Sequence, residues 1–251
     1  MSFLNKVVIV TGASSGIGAD VVKRFATEAA KVVLVGRNEA NLNKVRNELP
    51  ANVEALNIIA DITKHEDSVI NKTIDRFGQI DILINNAGVL QKGSVEDIEI
   101  GDFDDVMDVN VRSVFKLTKL AIPHLMKTKG NIVNVSSITG LRSFPNAISY
   151  CVSKAALDQF TKCTALDLAR KGIRVNAVNP GTIGTGMHKK LGMTDEDFAA
   201  FLEKCKSTHA MGRHGDTSEV SSAILFLAGD TASFITGCCL SVDGGKHAMC
   251  S

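Results

Sequence analysis

The apolar run Val7-Val8-Ile9-Val10 leads directly into Thr11-Gly12-Ala13-Ser14-Ser15-Gly16-Ile17-Gly18, and Val21, Val22, Phe25, Ala26 and Ala29 then recur at helical spacing. This order predicts a strand, a glycine loop and a helix. Gly12 permits a sharp turn, Gly16 lets backbone approach a pyrophosphate, and Gly18 lets the helix pack closely. Unpaired amides at the start of the helix would face the anion. The spacing G-x-x-x-G-x-G differs from the commoner G-x-G-x-x-G. Its placement between strand and helix therefore carries the argument for a dinucleotide site.

Apolar segments continue to alternate with helical patterns. Val32–Val35, Val53–Ile58, Ile80–Ile84, Asn131–Val135 and Ile173–Val178 read as strands. The alternation calls for a mainly parallel sheet covered on both faces, with ligands beyond the carboxyl ends of the strands. Gly12 to Gly18, Gly36-Arg37, Asp61-Ile62, Asn85-Asn86-Ala87-Gly88, Ser136-Ser137 and Pro180-Gly181 all fall at those ends.

The chain contains one tyrosine, Tyr150, which stands four residues before Lys154 and thirteen after Ser137. Residues four apart on a helix share a face, so an ammonium can sit beside the phenol. A free phenol titrates near ~10, so proton transfer near neutrality needs a stabilised phenolate. The neighbouring positive charge is the expected source.

These motifs together resemble the short-chain dehydrogenase/reductase family, of the kind with one domain of roughly 250 residues. Thr11 to Gly18 is similar to its glycine motif, Asn85-Asn86-Ala87-Gly88 to its fourth-strand motif, and Ser137/Tyr150/Lys154 to its catalytic triplet. Pro180-Gly181, followed by Ile183 and Thr185, resembles the segment that holds the nicotinamide carboxamide. The resemblance covers nearly the whole chain. It implies an α/β, Rossmann-type, doubly wound sheet of seven strands in a single domain over residues 1–251, with 3-oxoacyl reductases and hydroxysteroid dehydrogenases as similar enzymes. Tyr150 would act as general acid/base, Ser137 would hold the substrate oxygen, and Lys154 would stabilise the phenolate and hold the nicotinamide ribose. Asn110 would support a water linking the lysine to solvent; its plainer reading is a polar helix residue bonding nearby backbone. The cofactor contacts implied are Gly12, Ser14, Ser15, Gly16, Ile17, Gly18, Arg37, Asn38, Asp61, Ile62, Asn86, Ala87, Gly88, Tyr150, Lys154, Pro180, Gly181, Ile183 and Thr185. The family is commonly tetrameric, so a homotetramer is expected.

Cofactor choice turns on the end of the second strand. NAD-binding folds usually offer a carboxylate there, but Gly36 occupies the place and Arg37 follows. A guanidinium grips a 2′-phosphate, so NADP(H) is favoured, with NAD(H) the alternative. Ser15 works against this, because many phosphate-preferring relatives carry a second basic residue there. Asp61 is expected at the adenine edge and as cap of a helix beginning near Thr63.

Net charge +1 excludes an electrostatic partner such as nucleic acid, and no run is long enough to suggest a membrane span. The short lead into the first strand leaves no room for a signal peptide, and the carboxyl end matches no prenylation box or peroxisomal tripeptide, so a cytoplasmic enzyme is expected. Six cysteines without C-x-x-C spacing read as buried small hydrophobes, and scattered histidines predict no metal site. A segment at about 183–209, with Gly184, Gly186, Gly192, Met187, Leu191, Met193, Phe198, Phe201 and Leu202, reads as a substrate lid hinged at glycines, or as a helix packed on the core. Its apolar lining favours a small hydrophobic ketone, aldehyde or alcohol: a 3-oxoacyl, steroid, isoprenoid or xenobiotic carbonyl. The competing class is a non-catalytic redox sensor, which would need the glycine loop but no positioned phenol.

Overall fold

In β1 (Val7–Thr11) every residue is buried, because successive side chains enter opposite and equally covered faces of one sheet. The computed structural model describes residues 3–187 and 192–249. Val8 and Val10 join Val32 and Leu34 of β2 (Lys31–Gly36) under α1 (Gly16–Thr27), α2 (Glu39–Asn47) and α9 (Thr217–Ala228). Val7 and Ile9 join Val33 and Val35 under α3 (Glu66–Phe77), α5 (Ser113–Thr128) and α6 (Ile148–Ala169). Phe25 anchors the first layer, fully buried and edge-on to Phe3 at 4.8 Å. Truncating it to alanine would cost ~3–5 kcal/mol.

The sheet is completed by β3 (Ala55–Ile59), β4 (Ile82–Asn85), β5 (Asn131–Val135), β6 (Arg174–Pro180) and β7 (Cys239–Val242). Its order is β3-β2-β1-β4-β5-β6-β7, and every adjacent pair is parallel. The chain therefore winds outward from β1 to β3, crosses back, and winds the other way from β4. The reversal opens a crevice at the carboxyl ends of β1 and β4, where such sheets bind ligands. The remaining helices are α4 (Ile100–Met107), which runs into a π-helical turn at Asp108–Arg112, then α7 (Asp195–Glu203) and α8 (Cys205–Thr208).

Several boundaries differ from the sequence expectation. α1 ends at Thr27, and Ala29 turns left-handed at φ 63°. β4 begins at Ile82, although the Asp81 backbone already bonds both neighbours, donating to the Val7 carbonyl at 3.0 Å and accepting from the Asn131 amide at 2.9 Å, while its carboxylate accepts from the Val7 amide at 2.8 Å. α3 starts at Glu66, so Asp61 does not cap it; the carboxylate closes a turn on the Thr63 amide and hydroxyl, at 3.0 and 2.8 Å. β7 is half-buried throughout, so no apolar run marks it. The cysteines are also corrected: Cys205 is buried, Cys151, Cys238 and Cys239 are half-buried, and Cys163 is exposed, while Cys250 lies outside the described residues.

Candidate active site

The glycine loop is fixed by the strand beside it. Thr11 Oγ1 accepts from the amides of Asn86 and Ala87, both at 3.0 Å, and Asn86 Nδ2 donates to the Thr11 carbonyl at 2.8 Å. Gly12 and Gly16 are left-handed, at φ 66° and 57°. A Cβ on Gly12 would lie 2.9 Å from Ala87 Cα, and one on Gly18 would collide with the Gly12 carbonyl and the Asn86 amide. Gly18 is thus needed where the loop folds onto itself, at the root of the helix. Ser15 precedes α1 in extended conformation without capping it, and the first turn holds no acidic side chain. The leading amides of α1 are left for an anion.

A cavity of about 450 Å³ opens above this loop. Gly12, Ser14, Ser15, Gly16, Ile17, Arg37, Asp61, Ile62, Asn86, Ala87, Gly88 and Thr185 line it. Thr185 crosses from the far end of the sheet, and a Cβ on Gly16 would meet its methyl at 3.3 Å. Asn38 stands outside this lining, because its side chain caps α2 by accepting from the Asn41 amide at 2.9 Å. Gly18 also lies beneath the cavity rather than on its wall. The Thr63 hydrogen bonds, aided by the Arg37 guanidinium, hold the Asp61 carboxyl below the usual range. A dinucleotide fits these features: tight glycines, free helix amides, a cation and a polar edge.

A second cavity of about 460 Å³ shares Ile17, Asn86, Gly88, Leu90, Thr185 and Met187 with the first. Ser137, Tyr150, Lys154, Pro180, Gly181 and Ile183 line it. Ser137 follows β5 and caps a short 3₁₀ turn by accepting from the Thr139 amide at 3.1 Å. Tyr150, Ser153, Lys154, Leu157 and Asp158 form the buried stripe of α6. Lys154 Nζ lies 5.5 Å from the Tyr150 ring centre and donates to the Val135 carbonyl at 2.8 Å.

Electrostatics here run against the expected phenolate. Burial pushes the Tyr150 phenol up to about 12, outweighing a hydrogen bond with Ser137 that acts the other way. Burial also brings the Lys154 ammonium down to about 8, against the pull of Asp158. Taking a charge out of water outweighs proximity here, so without cofactor the phenol is neutral.

Asn110 sits fully buried in the π-helical turn. Its amide donates to the Val89 carbonyl at 2.9 Å and Ser153 Oγ at 3.0 Å, and its Oδ1 accepts from the Val89 amide at 2.8 Å. It therefore ties the loop after β4 to α6. Oδ1 and Lys154 Nζ would both approach a Cβ on Gly88, at 3.3 and 3.5 Å, so Gly88 keeps that wall open. A second brace joins Asn179 Nδ2 to the Ser137 carbonyl and to Asp158 Oδ2, both at 2.8 Å.

The family model described as enoyl-(acyl carrier protein) reductase matches residues 12–247. L-fucose dehydrogenase of Bos taurus is 37% identical, with 98% of this chain and 90% of that protein aligned. Meso-2,3-butanediol dehydrogenase of Serratia marcescens is 38% identical, over 99% and 97%. A short-chain dehydrogenase/reductase of unknown function from Caenorhabditis elegans, solved with cofactor, superposes with TM-score 0.94 at 38% identity, covering 98% of this chain and 97% of the other. The chain is a short-chain dehydrogenase/reductase. As a member of this family it is an oxidoreductase of alcohol and carbonyl groups that uses NAD(P).

The short-chain dehydrogenase/reductase also has lining residues that carried no sequence signal. Ala60, Val89, Leu90, Gln91 and Val109 face the first cavity, and Phe144, Pro145, Asn146, Ala147 and Lys246 the second. Val109 lies in the π-helical turn and Lys246 in a short 3₁₀ turn, and the others lie in loops, where neither period nor motif marks a residue. Met187, Met193 and Phe201 of the segment read as a lid reach the second cavity, while Leu191 lies outside the described residues. α7 buries no residue fully, unlike a helix packed on the core. Gly184 and Gly186 are not in the left-handed region that only glycine suits, whereas Gly192 is, at φ 81°.

Proposed function

We propose that the protein is an NADP(H)-dependent oxidoreductase interconverting a ketone or aldehyde with its alcohol on a small, largely apolar substrate. The observation that carries this reading is that Ser137, Tyr150 and Lys154 line one cavity, with Lys154 Nζ 5.5 Å from the Tyr150 ring centre, and that this cavity shares Gly88 and Thr185 with the first. A nicotinamide dinucleotide, when bound, supplies or accepts the hydride. During reduction Ser137 holds the substrate oxygen and the neutral Tyr150 phenol gives it a proton. During oxidation the same phenolic oxygen takes the proton back. Lys154, fixed on the Val135 carbonyl, favours the anion left behind and would hold the nicotinamide ribose.

Arg37 on the first cavity and the absence of a carboxylate at Gly36 support NADP(H) over NAD(H). Gly12, Ser14, Ser15, Gly16, Ile17, Asp61, Ile62, Asn86 and Ala87 would hold the adenosine and pyrophosphate portions. Gly88, Pro180, Gly181, Ile183 and Thr185 would hold the nicotinamide. The sparse packing of α7 supports a lid at about 183–209 over an apolar substrate. Exposed Phe115 on α5, with Val152 and Leu166 on α6, supports self-association as a homotetramer, and a cytoplasmic setting accords with this reading.

The test is steady oxidation of NADPH and NADH with a panel of neutral ketones, in the wild type and in Tyr150→Phe. The variant is expected to lose nearly all turnover while keeping cofactor affinity. Cofactor binding without turnover of any carbonyl or alcohol would favour the redox sensor instead.

A further inference from the structure

The second cavity has a charge pattern that an entirely neutral substrate leaves unexplained. Among the described residues Lys92, Lys154 and Lys246 line it, and no aspartate or glutamate does. Lys246 follows β7 in a 3₁₀ turn held from both sides. The Asp243 carboxylate accepts from the Gly245 amide at 3.2 Å and the His247 amide at 2.6 Å, and pairs with His247 Nδ1 at 2.8 Å. Arg142 donates to the His247 carbonyl at 2.8 Å. The turn thus fixes the Lys246 backbone and occupies the nearest acid.

The Lys246 side chain is half-buried, with Nζ 5.3 Å from the Phe144 ring centre. Among the described residues no carboxylate lies within ion-pair distance of it. Burial lowers its pKa, with Cys205 and Asp243 opposing. A partly dehydrated ammonium lining the same cavity as Tyr150 is a ready anchor for an anion. Leu90, Phe144, Pro145, Met187 and Phe201 supply apolar surface in the same cavity.

We propose that the substrate is a keto acid or hydroxy acid with an apolar body, whose carboxylate docks on Lys246 while its carbonyl or hydroxyl oxygen meets Tyr150 and Ser137. The inference rests on the proposed carbonyl–alcohol reaction. It goes beyond it in assigning charge to one end of the substrate and specificity to Lys246. A carboxylate matches the one charge of Lys246, the half-buried lysine among the described lining residues, whereas a phosphate ester brings nearly two charges. The carboxylate is a handle only and takes no part in bond making.

The test uses a pair of equal shape, 4-acetylbenzoate and 4-acetylbenzamide. Wild-type kcat/KM should favour the acid by about tenfold, through KM, and the advantage should shrink as salt rises. Lys246→Met should bring the ratio close to one, and Lys246→Arg should retain most of it. Lys246→Gln serves if the methionine variant melts early. An amide as good as the acid in the wild type, or an unchanged ratio without the ammonium, overturns the inference and leaves the carbonyl–alcohol reading intact. Calorimetry with 4-isopropylbenzoate and its amide, in the presence of oxidised dinucleotide, separates the two claims. Lys246-dependent binding of the acid without turnover of either ketone would sink the redox reading and keep the anion site. Neither binding nor turnover of the acid overturns the inference.

Discussion

The Lys154 ammonium lies 5.5 Å from the centre of the Tyr150 ring, and its hydrogen bond goes to the Val135 carbonyl oxygen at 2.8 Å. The lysine is therefore held by the end of β5, beside the phenol. Two dehydrated groups with opposite charge preferences share one wall, and each titrates away from its ordinary range.

For Tyr150 the consequence is spectroscopic. As the only tyrosine, in a chain without tryptophan, it alone gives phenolate absorbance. The cofactor-free midpoint should fall near about 12. A raised acid pKa means the folded state holds the proton more tightly. Its stabilising contribution is complete below the ordinary value of 10.0 and is lost as pH rises toward 12. Oxidised dinucleotide, cationic at its ring, should move the midpoint down. A cofactor-free midpoint below 10.0 would contradict the dominance of burial.

For Lys154 the sign is reversed. Its pKa falls from 10.5 to about 8, so the folded state sheds the proton more readily. The resulting stabilisation is present above 10.5 and is lost as pH falls through 8. At pH 7 the buried charge is a burden. Lys154→Met should raise Tm by a few degrees at pH 7, an effect of about 1–2 kcal/mol once the abandoned Val135 carbonyl is counted. The gain should vanish by pH 10.5, and turnover should collapse at every pH. Melting curves of both proteins from pH 6 to 10.5 decide it; a variant less stable at pH 7 would show that the lost hydrogen bond dominates.

Cofactor choice is open to a direct exchange. A Cβ on Gly36 would meet Leu42 at 3.4 Å and Ser14 at 3.6 Å, ordinary contacts, so a side chain can start there without displacing a neighbour. Gly36→Asp with Arg37→Ala should move preference from NADPH toward NADH by about tenfold or more, near 1.4 kcal/mol. Dissociation constants from fluorescence titration of both reduced cofactors give the answer, and unchanged values would remove Arg37 from phosphate recognition.

Two glycines should behave oppositely. Gly18→Ala drives a methyl into the Gly12 carbonyl and the Asn86 amide, and should weaken either cofactor by about tenfold or more. Gly186→Ala meets nothing within 4 Å and should leave affinity and Tm within about 0.5 kcal/mol of wild type. A strong turnover defect in Gly186→Ala would restore Gly186 as a hinge.

The sheet was legible in six strands: β1, β2 and most of β4 are buried on both faces and read as apolar runs, while β3, β5 and β6 kept enough apolar residues around Asn57, Asn131, Asn134 and Asn176 to be read as strands. β7 escaped because it is half-buried along its length. The second cavity was only half legible. Ser137, Tyr150 and Lys154 stand at a helical and strand-end spacing that sequence displays, whereas Phe144 and Lys246 arrive there through loops without period.

The alternation of strand and helix, the glycine loop, and the shared face of Tyr150 and Lys154 can be read from the linear chain, since each follows from neighbours within one or two turns. Tertiary structure decided what those groups experience. Asn38 faces its own helix start, Asn110 braces Val89 and Ser153, and Tyr150 keeps its proton. Lys246 reaches the pocket from almost a hundred positions beyond the tyrosine. Dehydration and long-range hydrogen bonding depend on everything packed around an atom, and linear spacing encodes only what lies along the chain.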